Sequence, residues 1–448
     1  MSDADDSAEA ATDDGVSPAD LARRLDRDEF VTILDVRNRD EIERWAIDGP
    51  GVKRTEIPFV TLQAAHVNGT IEDLTGEIEH ADVSDRTDGD GSERTVGTDQ
   101  VIVVCGRGEV SATVADLLVE TGIDAHNLAG GMDAWGEVYT ARRLDALEIA
   151  GGEASVGGEA TVYQYRRPAT GCLSYLIVAS GQAAVIDPLS AFAGRYVADA
   201  AAHDASLTAA IDTHVHADHV SGLRELGERG VEAILPERAA DRGVAFDVRT
   251  VADGETVVVG DAALEAVSLP GHTSGMTGFI LGDLLLAGDS VFVDGIARPD
   301  LEASAEDAGD HRDARDVEAM EDAEDAEDAD GMERTEALAR ELHETLTARL
   351  ARFDDGTVLA PGHHDEGSRP NDEGTYIARL GDVRDRLPAF EMDKRGFVER
   401  VCGDLGARPA NHERIVRANL GLERLDTEEA RTLELGPNNC AAGPMAAE

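Results

Sequence analysis

The residues with the clearest chemical meaning lie in one short segment, 213–219, which reads Thr-His-Val-His-Ala-Asp-His. It follows an apolar run, 209–211, that is typical of a buried strand, and a tight turn at a strand end can direct several side chains at one point. Neutral imidazole and carboxylate groups are ligands for Zn²⁺, Fe²⁺ and Mn²⁺. An ordinary polar loop rarely carries four potential ligands in six residues. We therefore predict metal binding by His214, His216, Asp218 and His219.

Three later segments also carry His or Asp after a strand-like run and beside a glycine, where the backbone can turn sharply. They are Pro270-Gly271-His272-Thr273, Ala287-Gly288-Asp289-Ser290 and Ala360-Pro361-Gly362-His363-His364. An earlier apolar run ends in Asp187. Taken in this order, over about residues 155–380, the segments resemble the metallo-β-lactamase superfamily. The resemblance implies an αββα sandwich with metal ions at the strand ends.

A second reactive group is predicted in the N-terminal part of the chain. Cys105 follows a strand-like run, 101–104, and precedes a helix pattern that begins after Ser111. Backbone N–H groups in such a loop and the positive end of the helix dipole favour the thiolate, which is the nucleophilic form, and the same cradle can hold an anionic persulfide. The alternative is a buried structural cysteine.

The segments around Cys105 resemble rhodanese domains over about residues 16–142. Asp-Val-Arg follows the strand-like run 31–34, and the unit closes with Leu-Ala-Gly-Gly-Met-Asp-Ala-Trp, ending at Trp135. The resemblance implies sulfane-sulfur transfer by Cys105. Many rhodaneses carry an arginine where this chain has Val110, and Arg107 is the candidate to compensate for it.

Composition limits the classes of function. The formal net charge is −52 at pH 7, and only Lys53 and Lys394 among the 40 basic residues are lysines. Nucleic-acid binding usually needs a basic surface, so that class is excluded. Acidic, lysine-poor proteins resemble those of salt-loving microbes, because the Debye length falls to about 3 Å in molar salt. The alternative is one acidic tail plus one acidic insertion.

Four cysteines are too few and too scattered for a disulfide framework. No apolar run reaches the length of a membrane span, and the N-terminus is acidic, unlike a signal peptide. We therefore expect a cytoplasmic protein with small-molecule partners and no membrane partner, and a homodimer is one expectation for its assembly.

The expected fold class is α/β: an N-terminal rhodanese-like α/β domain, then a metallo-β-lactamase αββα sandwich with a mostly helical C-terminal tail. Acidic, glycine-containing and low-complexity stretches predict the boundaries. We expect a disordered acidic N-terminus (1–15), the rhodanese-like domain (16–142), a linker (143–160), the metallo-β-lactamase domain (161–380) with an acidic insertion (302–334), and a helical extension (381–448). Leucines recurring every four residues, at 338, 342, 346 and 350, predict a helix after the insertion.

Two segments resemble the persulfide dioxygenase branch of the superfamily. They are the run 289–300, which contains Arg298, and Pro-Ala-Asn at 409–411. This resemblance implies one Fe²⁺ per chain on His214, His272 and Asp289, a persulfide and O₂ as substrates, and sulfite plus the parent thiol as products. His216, Asp218, His219 and His363 would then lie around the iron or form a second, unfilled site. Arg298 would either orient an anionic substrate or brace Asp300.

Two other functions stay open. The first is a binuclear Zn²⁺ hydrolase of thioesters, similar to glyoxalase II, with a bridging hydroxide as nucleophile. Its expected ligands are one set of His214, His216 and His363, a second set of Asp218, His219 and His272, and a bridging Asp289. The other is a non-catalytic sulfur-binding protein. The family often has Asp-Tyr after its last histidine, whereas this chain has His364-Asp365, so the thiol carrier is left open.

Overall fold

A computed structural model describes the protein at residues 15–27, 29–49, 51–71, 74, 100–144, 160–302, 320–365, 367–403, 405–406, 408–409 and 411–435, with the backbone alone at 320–330. The chain divides into two compact units, Met1–Val138 and Tyr139–Glu448. Several predictions fall wholly or mostly outside the described residues: the disordered N-terminus, the linker and the acidic insertion.

A parallel four-stranded sheet organises the first unit, in the order β2-β1-β3-β4. β3 reads Val-Ile-Val-Val and is buried at every position, as expected for a parallel strand covered on both faces. The elements are β1 (Val31–Asp35), β2 (Val52–Glu56), β3 (Val101–Val104) and β4 (Ala125–Asn127), with α1 (Pro18–Asp26), α2 (Arg39–Arg44), α3 (Phe59–Asn68), α4 (Glu109–Glu120) and α5 (Gly131–Gly136). This is the predicted small α/β domain.

The second unit contains two sheets. The first has seven strands, in the order β11-β10-β9-β8-β7-β6-β5, and the four on one side, β8 to β11, run parallel, so their carboxyl ends lie along one edge. Its strands are β5 (Thr140–Arg143), β6 (Thr161–Arg166), β7 (Leu173–Ala179), β8 (Gln182–Ile186), β9 (Ser206–Ile211), β10 (Glu232–Pro236) and β11 (Arg249–Val251). The helices between them are α6 (Ala193–Ala202), α7 (Leu223–Glu228) and α8 (Glu237–Ala240).

The second sheet has six strands in sequence order. They are β12 (Thr256–Val259), β13 (Ala262–Ser268), β14 (Thr277–Leu281), β15 (Leu284–Gly288), β16 (Val358–Pro361) and β17 (Ala378–Arg379). The helix after β15 is α9 (Met320–Glu344), and the helices after β17 are α10 (Leu380–Arg386), α11 (Lys394–Gly403), α12 (His412–Asn419) and α13 (Thr427–Glu434).

Three apolar clusters give the layering of this unit. The central cluster joins the inner faces of both sheets, for example Ile211 of β9 and Phe279 of β14. The outer face of the first sheet packs against helices through residues such as Tyr196 of α6. The outer face of the second sheet packs against α9 and α11, where Leu342 and Phe397 are fully buried. The order is helix, sheet, sheet, helix, which confirms the αββα sandwich.

Three boundaries differ in detail from the predicted ones. β5 pairs antiparallel with β6, so residues expected to end the first domain belong to the sheet of the second unit. α9 begins at Met320, inside the stretch predicted as an insertion, and the leucines at 338 and 342 lie in this helix and are buried. The C-terminal helices belong to the same compact unit as the sandwich.

Candidate metal centre and sulfur-transfer loop

Residues 212–221, here called the histidine loop, follow β9 and are buried throughout. Asp187, at the end of β8, anchors the start of this loop. Its carboxylate accepts hydrogen bonds from the backbone N–H of Thr213 at 2.7 Å and from the Thr213 hydroxyl at 3.0 Å. Asp187 has a φ of 49°, which non-glycine residues rarely adopt and which is typical of functional sites.

His214 keeps one ring nitrogen available for a ligand. Its Nδ1 lies 2.9 Å from the Thr213 hydroxyl, and because that hydroxyl donates to Asp187, Nδ1 carries the hydrogen. Nε2 therefore holds a lone pair, and it has no hydrogen-bond partner within the described part of the chain. Burial, and then the imidazoles of His216 and His272, hold the pKa of His214 well below its usual value. The ring is neutral, which is the form that binds metal.

His272 and Asp289 complete this first set. His272 Nδ1 donates to the carbonyl of Arg298 at 2.7 Å, which leaves the lone pair on Nε2. His272 Nε2 and Asp289 Oδ2 lie 4.0 Å apart, and neither atom has a hydrogen-bond partner among the residues described. The ligand atoms of His214, His272 and Asp289 lie within 4.8 Å of one another. Unpaired buried polar atoms are costly, and one divalent cation would satisfy all three.

The predicted glycine turn before Asp289 is required by its surroundings. Gly288 has a φ of 50°, and a Cβ there would lie 2.3 Å from the Met276 methyl carbon and 2.6 Å from the Thr213 hydroxyl. Any side chain at this position would push Asp289 away from the histidine loop. The glycine thus lets two separate loops meet.

His216 is turned away from the first set. Its Nε2 lies 3.1 Å from Asp187 Oδ1 and 4.0 Å from Asp212 Oδ1. Burial lowers the pKa of His216, but the charge and hydrogen bond of Asp187, followed by Asp212 and Asp218, outweigh burial and raise it to about 10. The contact with Asp187 therefore directs His216 Nε2 away from His272 and Asp289.

The other predicted ligands gather beside the first set. Asp218 Oδ2 lies 2.9 Å from His219 Nδ1, 3.7 Å from His363 Nδ1 and 3.3 Å from Cys172 Sγ. His363 Nδ1 also lies 3.7 Å from Asp289 Oδ2. This differs from the two zinc sets expected for a hydrolase, because His272 groups with His214, and His363 groups with Asp218. The two histidines have exchanged sets, since the loops that carry them leave different strands.

Cys172 is a member of this second group that the sequence did not reveal. Free cysteines often pack as small hydrophobic residues, and Cys172 does lie in an apolar cluster with 1% of its surface exposed. Its thiol also donates to Asp218 and accepts from the Thr170 hydroxyl at 2.9 Å. Burial, and then the charge of Asp218, raise the pKa of the Cys172 thiol well above its usual value.

Arg298 braces Asp300. Its guanidinium donates to both carboxylate oxygens of Asp300, at 2.7 and 2.9 Å, and to the carbonyl of Gly406 at 3.0 Å. Arg408 adds a contact to the same carboxylate at 3.2 Å. Both members of the Arg298–Asp300 pair are about 6% exposed. Of the two predicted roles for Arg298, these contacts favour bracing over binding an anionic substrate.

In the first unit, the loop after β3 surrounds Cys105 with donors. Its sulfur accepts from the backbone N–H groups of Gly108 and Ser111, at 3.1 and 3.3 Å, and lies 3.0 Å from the Ser111 hydroxyl. A Cβ at Gly131 would lie 2.3 Å from the Cys105 carbonyl. A glycine at this position therefore allows the start of α5 to pack against the Cys105 loop. The geometry suits an anionic sulfur at the start of α4.

Among the described residues, the donors to that sulfur do not include Arg107. Its side chain is 82% exposed, with its Nε 3.7 Å from Asp133. It lies on the rim of the loop, where it could meet a substrate anion. Its predicted compensation for Val110 stays a prediction.

Sequence reasoning also missed two C-terminal side chains that contact the histidine loop, Asn419 and Glu434. No motif marks them, because they lie about 200 residues from their partners. In the Pro-Ala-Asn segment, the Asn411 side-chain amide donates to the carbonyl of Leu433. Within the described ranges, no helix combines the length and the apolar character needed to cross a membrane.

Comparisons with known proteins agree with this architecture. Residues 17–137 match the Rhodanese-like domain, and residues 167–363 match the Metallo-beta-lactamase superfamily. One curated relative is the hydroxyacylglutathione hydrolase of Parasynechococcus marenigrum, 32% identical over 133 residues, which are 28% of this chain and 53% of the relative. Another is the mitochondrial persulfide dioxygenase ETHE1 of Homo sapiens, 33% identical over 128 residues, 28% of this chain and 48% of the relative. The chain spans about half the length of these curated relatives.

Two solved structures are partly similar to this chain. A metallo-beta-lactamase from Staphylococcus aureus is 22% identical with a TM-score of 0.49, over 60% of this chain and 74% of that one. ETHE1 from Myxococcus xanthus is 24% identical with a TM-score of 0.45, over 58% of this chain and 98% of that one.

Proposed function

We propose that this chain, in which a rhodanese domain precedes a metallo-β-lactamase domain, is an iron-dependent dioxygenase that oxidises a low-molecular-weight thiol persulfide to sulfite. The observation that carries the proposal is the set of three buried, unpartnered atoms: His214 Nε2, His272 Nε2 and Asp289 Oδ2. Two histidines and one carboxylate on one face of an octahedron are typical of non-haem Fe²⁺ oxygenases, because the opposite face stays open.

The protein residues around this set hold it ready for the metal. Thr213 and the carbonyl of Arg298 fix the hydrogens of His214 and His272 on Nδ1, so both rings offer Nε2 without rearrangement. The pairing of His216 with Asp187 removes a third histidine that would fill the open face. When bound, Fe²⁺ would supply electrons to O₂, which redox-inert Zn²⁺ does not.

The proposed reaction consumes one persulfide, one O₂ and one water. The sulfane sulfur is oxidised to sulfite, O₂ is reduced, the S–S bond breaks, and the parent thiol and two protons are released. His214, His272 and Asp289 would hold the iron, and the metal would supply a site at which the persulfide and O₂ come together.

Cys105 is proposed to carry sulfane sulfur in the rhodanese domain. Its thiolate attacks the outer sulfur of a donor, a new S–S bond forms on Cys105, and the donor leaves with the electron pair of the broken bond. The three donors around the sulfur stabilise both the thiolate and the resulting persulfide anion. A low-molecular-weight thiol then accepts this sulfur and becomes the substrate class of the metal centre.

A binuclear zinc hydrolase of thioesters is the second candidate, because Asp218 Oδ1 and His219 Nε2 are also buried without a hydrogen-bond partner in the described structure. Its second metal would use Asp218, His219 and His363. The first metal would need His216, which must then leave Asp187.

The test compares two metal forms of the full chain. Protein made under anaerobic iron supply should hold about one iron per chain, and with glutathione persulfide or coenzyme A persulfide it should consume one O₂ for each sulfite formed. Zinc-loaded protein with S-lactoylglutathione tests the hydrolase. Two zinc ions per chain with thioester hydrolysis, and no O₂ uptake by the iron form, would overturn the proposal.

Asp218→Ala separates the candidates in a second way. In a mononuclear iron site it should leave most of the iron bound, since Asp218 is outside the first set. In a binuclear zinc site it should remove about half of the metal, because a direct ligand is lost. Metal per chain, measured by mass spectrometry, decides between them.

A further inference from the structure

Two side chains from the C-terminal helices hold the backbone of the histidine loop. The Asn419 side-chain amide donates to the carbonyls of His216 and His219, both at 2.9 Å. Its oxygen accepts from the backbone N–H of Ser221 at 2.8 Å. The Glu434 carboxylate accepts from the backbone N–H of Val220 at 2.9 Å. Four backbone groups within six residues of the loop therefore depend on the end of α12 and the end of α13.

These contacts answer a need that the loop cannot meet by itself. The loop is buried, and buried backbone N–H and C=O groups require partners. Strand and helix ladders satisfy such groups elsewhere, but a loop that presents several ligands cannot form a ladder. Asp187 satisfies the start of the loop at Thr213. The C-terminal pair satisfies its end, so the loop is clamped on both sides of His216, Asp218 and His219.

The hydrogen bond between Glu434 and the loop requires the burial of a charged pair, Glu434 and Arg167. Both Glu434 and its partner Arg167 are fully buried, and a buried ion pair is weak evidence for a gain in stability, because desolvation of both charges opposes the attraction. Arg167 also lies over the ring of Phe192, with its guanidinium carbon 5.5 Å from the ring centre. A carboxylate with one oxygen on Arg167 and the other on Val220 N–H is directed at the loop with little freedom.

We propose that Asn419 and Glu434 are positioning residues for the metal centre, so that the site formed by the sandwich is incomplete without the C-terminal helices. Both lie beyond residue 363, where the match to the metallo-β-lactamase superfamily ends. The role is to fix the backbone from which the histidine-loop ligands project. It rests on the proposed function only in requiring that the loop binds metal.

The first test changes Asn419 in the full chain. Asn419→Leu is similar in size and removes all three hydrogen bonds, whereas Asn419→Asp keeps the acceptor for Ser221 N–H and loses the donor to the two carbonyls. Metal-free protein is titrated with Co²⁺, whose visible absorption reports both affinity and ligand geometry. Loss of groups that orient metal ligands typically weakens binding by about 10- to 100-fold, and we expect this range with an altered Co²⁺ spectrum. Asn411→Ala is the control, since Asn411 bonds to Leu433 on the same tail.

The second test separates positioning from general stability. Glu434→Gln keeps an oxygen for Val220 N–H but removes the charge that pairs with Arg167. Glu434→Leu removes that oxygen as well. Both variants should lower the thermal midpoint, because the buried Arg167 guanidinium loses the charge of Glu434, but Glu434→Leu should weaken Co²⁺ binding more than Glu434→Gln does, because only it removes the acceptor for Val220 N–H. The Asn419 variants should show larger changes in affinity than in stability.

The results separate this inference from the proposed function. If affinity simply follows stability in all variants, or if both Asn419 variants bind Co²⁺ with wild-type affinity and spectrum, Asn419 and Glu434 are ordinary structural residues and the inference is wrong. If the wild type binds metal but shows no O₂ uptake with persulfides, the proposed reaction fails while the affinity test still stands.

Discussion

Replacing Ser111 with alanine should slow the reactions of Cys105 without removing its sulfur. The wild-type sulfur has three donors: two backbone N–H groups, of Gly108 and Ser111, and the Ser111 hydroxyl at 3.0 Å. Alanine keeps the backbone donors and deletes the hydroxyl. Cys105 should therefore remain in place while its thiolate loses one of three stabilising contacts.

The size of the effect follows from these contacts. A hydrogen bond to a charged group contributes about 1.5–3 kcal/mol, and each 1.4 kcal/mol corresponds to about a tenfold change in an equilibrium or rate constant. The hydroxyl has one proton, and it also lies 2.7 Å from Asn127 Oδ1, so part of that contribution is shared. We expect the lower end of the range, a roughly tenfold slower alkylation of Cys105, because the hydroxyl no longer stabilises the reacting sulfur.

The assay is alkylation by iodoacetamide, read on the peptide that contains Cys105, since Cys172 and Cys402 are also free thiols. Thr113→Ala is the matched control, because Thr113 lies on the same helix and its hydroxyl bonds to the Glu109 carbonyl instead. A Ser111→Ala protein that reacts at the wild-type rate would refute the reasoning. Cys105 would then be a structural cysteine and the loop would not act as an anion cradle.

Three further predictions follow from the second unit and the composition. His272→Ala should abolish metal-dependent turnover, since both candidate functions use this ligand; full activity with full metal content would contradict both. Burial opposes the charge of Asp300, but the hydrogen bonds and charges of Arg298 and then Arg408 outweigh burial and lower its pKa. The charge of Asp300 therefore stabilises the fold above its unfolded pKa of about 3.9, and this stabilisation is lost as the pH falls further. The difference in urea unfolding free energy between wild type and Asp300→Asn should shrink below about pH 4. A difference that does not change with pH would argue against this pairing. With a net charge of −52, the thermal midpoint should rise steeply from 0.01 M to molar KCl, because the Debye length falls from about 30 to about 3 Å; a flat curve would contradict the halophilic interpretation.

The sequence by itself determined the loops that carry the chemistry, and its resemblance to known families implied the layers of the fold. Apolar runs such as 101–104 and 284–286 have the length and pattern of buried strands, and glycines such as Gly288 mark turns that no other residue fits. These features depend on residues close together in sequence, which is why they could be predicted.

Only the tertiary structure decided which side chains act together. His214 and His216 are two residues apart, yet one offers an unpartnered Nε2 and the other is held by Asp187, and nothing in the motif distinguishes them. Cys172 looked like a core residue and contacts Asp218. The reason is physical: the direction of a side chain is set by the hydrogen bonds of its neighbours in space, and the histidine loop takes those neighbours from Asp187, before it in the chain, and from Asn419, about 200 residues after it.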